Sequence, residues 1–358
     1  MESFFEMVDN ADLKILTALG RNPLGTVQEI GAGTGMTSAT VSIRLKKLRQ
    51  TGALFAVSGQ IAYSVLGLEP VVVFLEAPFR SLTRLESLCD RHPYTRYRVR
   101  CIGYFNGLYA LFSVPERKIS DLAEFLSLLK GDVVTDYRIN ASTGGWSYSE
   151  ADYSLYEISN DHWAFDWGEW ERKVDAMDVI PPQRKHSASI LSRLGEKDLK
   201  ILEQLTIDSR RKGNQIAAAV GITPYNFTRR MQFLTDNRAL DSYRVIVDKG
   251  VSRLMTTFMF LCQCPQDETR RFAAAFTQLP FQSTLIPTSQ GFFTQASIPP
   301  LDLPILGSIL QRRCQKVESL WSDYRSSMRY YFWPGAYREG AWETSRGFMI
   351  EDVLGGGN

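Results

Sequence analysis

Histidine is scarce in this chain of 358 residues, which has only three, at His92, His162 and His186. The sequence contains no Gly-x-Ser-x-Gly or His-Glu-x-x-His motif, the patterns that place side chains for nucleophilic or metal-assisted hydrolysis, and it contains no phosphate-binding P-loop. We therefore expect that the protein is not an enzyme and that it has no catalytic residues.

Cysteine is also sparse, and none of the five cysteines lies in a Cys-x-x-Cys pair or at ligand spacing from a histidine. Cys262 and Cys264 share one face of an apolar run that is typical of a strand. This pattern predicts buried, reduced thiols. We expect neither a metal site nor a cofactor.

Long apolar runs are absent as well. No stretch of 18 apolar residues occurs, and residues 1–10 are acidic and lack the apolar centre of a secretory leader. We therefore expect a soluble, cytoplasmic protein without a membrane partner. The net charge is only +2, but residues 9–60 and 196–250 each carry an excess of three positive charges, whereas residues 140–185 carry an excess of five negative charges.

The chain repeats itself. Asp12-Leu13-Lys14-Ile15-Leu16 recurs at Asp198-Leu199-Lys200-Ile201-Leu202, an offset of 186. The same offset relates Thr37 to Thr223, Arg44 to Arg230 and Ala53 to Ala239. A tandem duplication is therefore predicted, so each motif can be compared with its counterpart in the other half.

Each half predicts the same two domains. Short helices at 9–19, 26–32 and from Thr37, with apolar residues at helical spacing, precede a predicted hairpin whose strands 54–57 and 60–64 flank a turn at Ser58-Gly59. The next segment has the order βαββαβ of a ferredoxin-like domain, and the second half follows the same plan. The prediction is an α+β protein in which two winged helix-turn-helix domains alternate with two ferredoxin-like domains.

The predicted boundaries follow from this plan. The winged helix-turn-helix domains cover 1–66 and 196–250, and the ferredoxin-like domains cover 67–143 and 251–335. Residues 144–195 form a strap and linker, in which Trp163, Trp167, Trp170 and Val174 recur at helical spacing and are expected to pack on the domains; a partner-binding groove is the alternative. Residues 336–358 form a C-terminal tail.

The third helix of each winged domain is the candidate for DNA recognition. Its inward positions in the first half are Val41, Leu45 and Leu48, which leaves hydroxyl and cationic side chains on the other face. Such side chains suit phosphates and base edges in the major groove. The predicted DNA-binding residues are Ser38, Thr40, Ser42, Arg44, Lys46, Lys47, Tyr225, Asn226, Thr228, Arg229, Arg230 and Gln232.

Three alternatives remain at the sequence level. The winged domains could contact protein, and Arg44 and Arg230 could instead brace the fold through internal ion pairs. Residues 29–35, Glu-Ile-Gly-Ala-Gly-Thr-Gly, are similar to the glycine loop of S-adenosylmethionine-dependent methyltransferases, but no acid for ribose follows before Glu69. The equivalent stretch 215–221, Gln-Ile-Ala-Ala-Ala-Val-Gly, favours a short helix in both halves.

These motifs resemble the Lrp/AsnC (leucine-responsive, feast/famine) regulators. The resemblance rests on the Asp12–Leu16 motif and on the series Thr37, Val41, Arg44-Leu45, Leu48 and Gly52-Ala53-Leu54, with both patterns recurring in the second half. It implies a transcriptional regulator that binds double-stranded DNA and self-associates through its ferredoxin-like domains. Two copies in one chain imply a pseudo-dimer.

The same resemblance places an effector, if one binds, at the turn between the second and third strands. The candidate effector-binding residues are Gly103, Asn106, Gly107 and Gly291. The family usually has an acid in this turn, and both copies lack it here. The chain is also similar to the siroheme decarboxylases, whose His-Asn-Tyr-x-Arg motif corresponds to His92-Pro93-Tyr94-Thr95-Arg96. A tetrapyrrole enzyme is therefore the alternative function, although a histidine before proline is expected at the surface.

Overall fold

A computed structural model describes residues 8–157, 159, 162–177, 189–247, 256–329 and 331–356. His186 lies outside these residues, and so does the predicted domain boundary between residues 250 and 251. In the first half the helices and strands are α1 (Asn10–Arg21), α2 (Val27–Thr34), α3 (Ser38–Gln50), β1 (Leu54–Ile61), β2 (Leu68–Glu76), α4 (Leu82–Arg91), β3 (Thr95–Gly103), β4 (Gly107–Pro115), α5 (Ile119–Leu129), β5 (Asp136–Ala141), β6 (Ser147–Ser149), β7 (Tyr156–Glu157), β8 (His162–Trp163) and α6 (Trp167–Ala176).

The second half has a similar series of elements, in which one long strand, Lys316–Arg329, stands where the first half has β5 and β6. They are α7 (Glu196–Asp208), α8 (Gly213–Val220), α9 (Pro224–Asp236), β9 (Leu240–Val247), β10 (Thr256–Gln263), α10 (Gln266–Phe276), β11 (Ser283–Thr288), β12 (Gly291–Ile298), α11 (Leu303–Arg313), β13 (Lys316–Arg329), β14 (Tyr337–Arg338), β15 (Ala341–Trp342) and α12 (Asp352–Gly355). A π-helical turn, Gly347–Glu351, leads into α12. The predicted α+β fold with two winged domains and two ferredoxin-like domains is confirmed.

The chain forms two compact units, and each unit combines pieces of both halves. Unit 1 consists of Met1–Ser58, Thr143–Arg184 and Tyr243–Trp321, and unit 2 consists of Gly59–Ser142, Lys185–Ser242 and Ser322–Asn358. Unit 1 therefore holds the first winged domain with the second ferredoxin-like domain, and unit 2 holds the converse pair. Each unit has its own hydrophobic core.

The ferredoxin-like sheets have the strand order that the βαββαβ connection predicts. In unit 2, β2 lies between β5 and β4, and β3 pairs with the other side of β4. In unit 1, β10 lies between β13 and β12, and β11 pairs with the other side of β12. Helix α5 covers its sheet with four apolar side chains that recur at helical spacing and are all buried: Leu122, Phe125, Leu126 and Leu129.

The predicted wing hairpin is wrong. Residues 54–61 form one continuous strand, β1, which pairs with β9 of the other half, and Tyr63–Leu66 form a 3-10 turn. Ser58 is buried within this strand. A Cβ atom on Gly59 would lie 3.1 Å from Leu240 Cδ2 and 3.3 Å from the Leu205 carbonyl oxygen. The backbone at Ser58-Gly59 thus packs closely against neighbouring elements. The turn propensity of these two residues does not reveal the distant strand that pairs with this segment.

The glycine-rich stretch 29–35 is helical, as its counterpart in the second half indicated. Gly31 lies inside α2, where an added Cβ would come within 2.6 Å of the Met36 carbonyl oxygen. Gly35 ends the helix with φ of 71°, in the left-handed region that favours glycine. A methyltransferase loop, which would follow a strand, is excluded.

The aromatic strap and the C-terminal tail are two copies of one element. Residues 153–176 and 334–355 each contain a short 3-10 turn, a two-stranded ladder and a terminal helix. Tyr156 pairs with Trp163 across the first ladder, and Tyr337 pairs with Trp342 across the second. The predicted packing of the strap is confirmed, because the Trp170 indole in α6 donates a 3.0 Å hydrogen bond to the Ala275 carbonyl oxygen. Trp163, however, lies in β8 and not on the helix.

Candidate nucleic-acid interface

A buried carboxylate fixes the third helix of the first winged domain to its first helix. Asp12 in α1 is fully buried and accepts hydrogen bonds from Arg44 Nη1 and Lys47 Nζ of α3, both at 2.9 Å. Asp9, the N-cap of α1, accepts bonds from the same Arg44 Nη1 at 2.8 and 2.9 Å. The two aspartates thereby set the position of α3 against the apolar contacts of Val41, Leu45 and Leu48.

The second winged domain uses the same device. Asp198 in α7 is buried and receives both Nε and Nη2 of Arg230 in α9. The Gly195 amide donates a further bond to Asp198 at 2.8 Å. The guanidinium of Arg230 also lies 4.5 Å from the centre of the Phe233 ring. The alternative of an internal ion pair for Arg44 and Arg230 is therefore the arrangement observed, and DNA contact by these two side chains stays a prediction.

In the first winged domain, the contacts of Arg44 with Asp9 and Asp12 shift the pKa values of Asp9 and Arg44. Burial alone would raise the pKa of Asp9, but the bonds from the Arg44 side chain and the Asp12 amide outweigh it, so this pKa is lowered. The hydrogen bonds that Arg44 donates to Asp9 and Asp12 raise the pKa of Arg44. Both groups are charged near neutral pH, and the ion pair is intact there.

Helix α3 presents an exposed polar face. Thr37 caps its N-terminus by accepting from the Thr40 amide, and Ser38, Ser42 and Lys46 lie exposed beyond it. Thr40 is exposed but bonds the Thr37 hydroxyl at 2.9 Å. Lys47 is half-exposed in spite of its bond to Asp12. Among the predicted residues of α3, Ser38, Ser42 and Lys46 are thus the most available to a ligand.

Helix α9 presents a different set of side chains at the equivalent positions. Thr223 caps the helix, and Tyr225, with 76% of its surface exposed, extends from the first turn. Asn226 is half-buried and Arg229 is exposed, and neither side chain forms a hydrogen bond within the described parts of the chain.

The remaining predicted residues of α9 are engaged within the helix. The Thr228 hydroxyl donates to the Pro224 carbonyl oxygen at 3.1 Å, and the Gln232 amide donates to Asp236 at 2.7 Å. The predicted residues of α9 that keep unengaged side chains are therefore Tyr225, Asn226 and Arg229.

One exposed residue of the interface was missed by the sequence argument. Ile43 in α3 has 70% of its surface exposed and occupies the position of Arg229 in α9. An apolar side chain on a recognition face can contact the thymine methyl group. The signal was present in the sequence, because Ile43 lies off the stripe of Val41, Leu45 and Leu48.

The glycines of the predicted effector turn have a structural explanation. A Cβ atom on Gly107 would lie 2.0 Å from the Leu75 carbonyl oxygen, and one on Gly291 would lie 2.2 Å from that of Cys262. Gly103 has φ of 132°, and its amide donates to the Asn106 side chain at 3.3 Å. The close approach of neighbouring strands accounts for Gly107 and Gly291 without a ligand, so effector binding at this turn stays a prediction.

The expected surface position of His92 is wrong. It is 2% exposed and packs on the rings of Phe112 and Phe125, at centroid distances of 5.2 and 5.0 Å. Burial lowers the pKa of His92 to about 3, so the ring is neutral at physiological pH. His92 lines a cavity of about 210 Å³ in unit 2, together with Tyr94, Arg96 and residues of the C-terminal tail.

Most of the cysteines are buried, as the apolar run around Cys262 and Cys264 predicted. All five cysteines are unbridged, and four are buried. Burial raises the pKa of the Cys89 and Cys101 thiols to about 12. Within the described residues there is no group of three side chains suited to hold a metal ion. Over the same part of the chain, no helix combines the length and apolarity needed to cross a bilayer.

Comparisons with known proteins agree with the local geometry. Residues 8–54 match the model of a winged helix-turn-helix DNA-binding family. The chain is 28% identical over 125 residues to the HTH-type transcriptional regulator Ptr1 of Methanocaldococcus jannaschii, covering 32% of this chain and 84% of that protein. It is 28% identical over 99 residues to YezC of Bacillus subtilis, described as an uncharacterized HTH-type transcriptional regulator, covering 28% and 70%.

A solved structure resembles the whole chain in fold. The siroheme decarboxylase NirDL superposes with a TM-score of 0.56 at 12% identity, covering 97% of this chain and 99% of that one. At this identity the likeness establishes the shared fold alone. Together with the match of residues 8–54 and the repeated motifs, it leads to one conclusion: the chain has a tandemly duplicated winged helix-turn-helix fold and is similar in sequence to HTH-type transcriptional regulators.

Proposed function

We propose that this protein is a transcriptional regulator that binds a specific duplex DNA sequence through α3 and α9. The observation that carries the proposal is that each winged domain holds its third helix by a buried aspartate and leaves a polar or cationic face exposed. A rigidly held helix with such a face is the element that helix-turn-helix proteins insert into the major groove.

The proposed roles divide the exposed side chains into two groups. Asn226 and Arg229 can form paired hydrogen bonds with adenine and guanine edges, so they would supply sequence preference. Lys46 would contact phosphate, and Lys47 would do so more weakly because Asp12 already holds its ammonium group. Arg44 and Arg230 would act as positioning residues through Asp12 and Asp198.

The two helices would recognise different half-sites. Ile43 in α3 stands where Arg229 stands in α9, and Lys46 stands where Gln232 stands. A homodimer with identical helices reads a palindrome. This chain would instead recognise an asymmetric site. Because one chain carries both copies, we expect light scattering to give a mass near 40.6 kDa if the copies pair within the chain, and twice that value if chains pair with each other.

The proposal is tested by measuring binding of four single variants to a selected duplex by fluorescence anisotropy at two salt concentrations. Asn226→Ala or Arg229→Ala should weaken binding by roughly 1–3 kcal/mol and relax preference at one base pair. Lys46→Ala should weaken binding to all sequences similarly and reduce the salt slope by about one. Lys47→Ala should reduce that slope by less.

A matched control distinguishes contact from fold. Arg238→Ala removes an exposed cation beyond the C-terminus of α9, so it should leave affinity and salt slope nearly unchanged. If all four interface variants behave like this control, the helices do not bind DNA.

A tetrapyrrole decarboxylase is the second candidate function. The observations that favour it are the whole-chain likeness to the NirDL fold and the cavity lined by His92, Tyr94 and Arg96. Its volume of about 210 Å³ is below the roughly 300–1,000 Å³ of cavities that hold drug-sized ligands. We therefore expect no Soret shift when siroheme is added. A stoichiometric shift that His92→Ala abolishes would replace the regulator with the enzyme.

A further inference from the structure

The cavity of unit 2 contains buried hydroxyl and imidazole groups that the protein leaves without partners. It is bounded by the turn between α4 and β3 on one side and by residues 331–333 and Trp342 on the other. The buried polar atoms of its lining residues that make no hydrogen bond within the described chain include Tyr63 Oη, His92 Nε2 and Thr95 Oγ1. Leaving a buried polar atom without a partner is energetically unfavourable. Three in one cavity indicate that a ligand completes them.

These groups are suited to an acceptor. His92 Nδ1 accepts the Tyr94 amide at 3.3 Å, and the ring is neutral, so the proton resides on Nε2. His92 Nε2 is thus a donor, and the Tyr63 and Thr95 hydroxyls can also donate. The ligand that three donors on the lining of one cavity favour is an anion such as a carboxylate.

The charges of the lining residues have the matching sign. Arg96 lies over the Tyr63 ring at 3.5 Å from its centre and donates to Ser113 at 3.2 Å. Arg91 donates to the carbonyl oxygens of Val353 and Gly356. The acid among the lining residues is Asp90, which Arg98 neutralises with bonds of 2.8 and 2.9 Å. An anion therefore meets a net positive lining, whereas an ammonium group would find Asp90 already engaged.

The remaining walls select the body of the ligand. Tyr94, Phe332, Trp333 and Trp342 supply aromatic surface, and the volume suits a molecule smaller than a typical drug. Aromatic side chains favour a planar apolar group through stacked or edge contacts. We propose that the unit 2 cavity is a regulatory binding site for one small aromatic monocarboxylic acid.

The equivalent cavity of unit 1 provides an internal contrast. It is bounded by the turn after α10, where Leu279-Pro280 stand in place of His92-Pro93, and by the first strap. Its lining combines the acids Glu150, Asp152, Asp166 and Glu169 with the cations Arg21 and Lys173, so its net charge is negative and favours a carboxylate less than the unit 2 lining does. The two cavities thus differ in the net charge of their linings, and the acid is expected to bind once per chain.

The unit 2 cavity is connected to the second winged domain. The amide of Phe332, a lining residue, donates to Thr206 of α7 at 3.2 Å, and α7 carries Asp198, which holds α9. A ligand that contacts Phe332 therefore acts on the helix behind the recognition helix. The inference rests on the proposed function only here, in treating the ligand as an effector of DNA binding.

The test is isothermal titration of the full chain with phenylacetate, with phenylacetamide and phenethylamine as neutral and cationic probes of the same size. We expect phenylacetate to bind with a stoichiometry of one and the other two to bind at least tenfold more weakly. Tyr63→Phe and Thr95→Val each remove a hydroxyl that has no protein partner, so the fold persists. Each should weaken phenylacetate binding by about tenfold to a hundredfold.

The control variant is Thr17→Val, which removes the one buried, unbonded hydroxyl that lines the unit 1 cavity within the described residues. It should leave phenylacetate affinity unchanged. A stoichiometry of two, equal affinity for the amide, no binding at millimolar concentration, or unchanged affinity in Tyr63→Phe would each overturn the inference. DNA binding is measured on the same preparation without acid. A protein that binds DNA but not phenylacetate contradicts this inference alone. A protein that binds phenylacetate but not DNA contradicts the proposed function alone.

Discussion

Removing the charge of the buried aspartates should loosen one recognition helix at a time. In Asp12→Asn, the amide has nearly the same volume but no charge to pair with Arg44 Nη1 and Lys47 Nζ, which both lie 2.9 Å from the Asp12 carboxylate. Hydrogen bonds to charged groups contribute about 1.5–3 kcal/mol when buried, and exposed ion pairs contribute at most about 1. Since Arg44 and Lys47 are 27% and 46% exposed, we expect a total loss of about 2–3 kcal/mol.

The second winged domain provides the matched variant. Asp198→Asn loses the two-pronged bond to Arg230, whose side chain is 29% exposed, so a loss of similar size is expected. The assay is hydrogen exchange of backbone amides, because exchange reports the free energy of local opening separately for each helix. Asp12→Asn should increase exchange in α1 and α3 by about 30- to 150-fold and leave α7 and α9 unchanged. Asp198→Asn should do the reverse.

The control for both variants is Lys46→Ala. It removes an exposed cation of α3 that makes no bond to Asp9 or Asp12. Its exchange rates should match those of the unmodified protein. If Asp12→Asn leaves α3 as protected as this control does, the aspartate does not hold the recognition helix. The positioning roles assigned to Arg44 and Arg230 would then be wrong.

Two further predictions concern acid stability and glycine. The pKa of Asp9 is lowered in the folded state. The ionised Asp9 carboxylate therefore contributes to stability above the ordinary pKa near 3.8, and this contribution is lost as the pH falls through the lowered pKa. Asp9→Asn should abolish that part of the acid dependence of α1 hydrogen exchange below about pH 4. Gly107→Ala or Gly291→Ala places a Cβ within 2.2 Å of a backbone oxygen and should lower the melting temperature strongly, whereas Gly33→Ala, in a helix with open space around it, should stabilise by about 0.5–1 kcal/mol; equal melting temperatures in all three variants would contradict the close-approach argument.

The parts of the fold that depend on local pattern were predictable from the sequence. Helical spacing located α1 and α3, and the ungapped repeat showed that the glycines of 29–35 belong to a helix. The βαββαβ order determined the sheet topology because that connection leaves few alternatives. Comparison between the halves was informative because a local accident in one copy is not expected in the other.

Features that depend on distant partners were not predictable in this way. The Ser58-Gly59 pair favours a turn locally, but the strand continues because β9 supplies its partner. The strap and the C-terminal tail share one structural pattern, but their loops differ in length. The first loop joins Tyr156 to Trp163 and the second joins Tyr337 to Trp342, so the fixed offset of 186 residues did not align the two copies.

The candidate site was predicted in outline and revised in detail. The exposed faces of α3 and α9 contain the expected residues, but the choice between base contact and internal ion pair for Arg44 and Arg230 required the positions of Asp12 and Asp198. His92 illustrates the same limit, since its burial depends on Phe112 and Phe125, which are distant in sequence. Exposure and burial of a single side chain are tertiary properties that a local pattern does not determine.

The most direct test of the central claim is selection of binding sequences from a random duplex library with the full chain. We expect one enriched, asymmetric motif with the unmodified chain. With Arg229→Ala, the half-site contacted by α9 should be lost from the selected sequences, and the half-site contacted by α3 should be retained. A palindromic motif would contradict the unequal roles of the two helices. No enriched motif at all would contradict sequence-specific DNA binding.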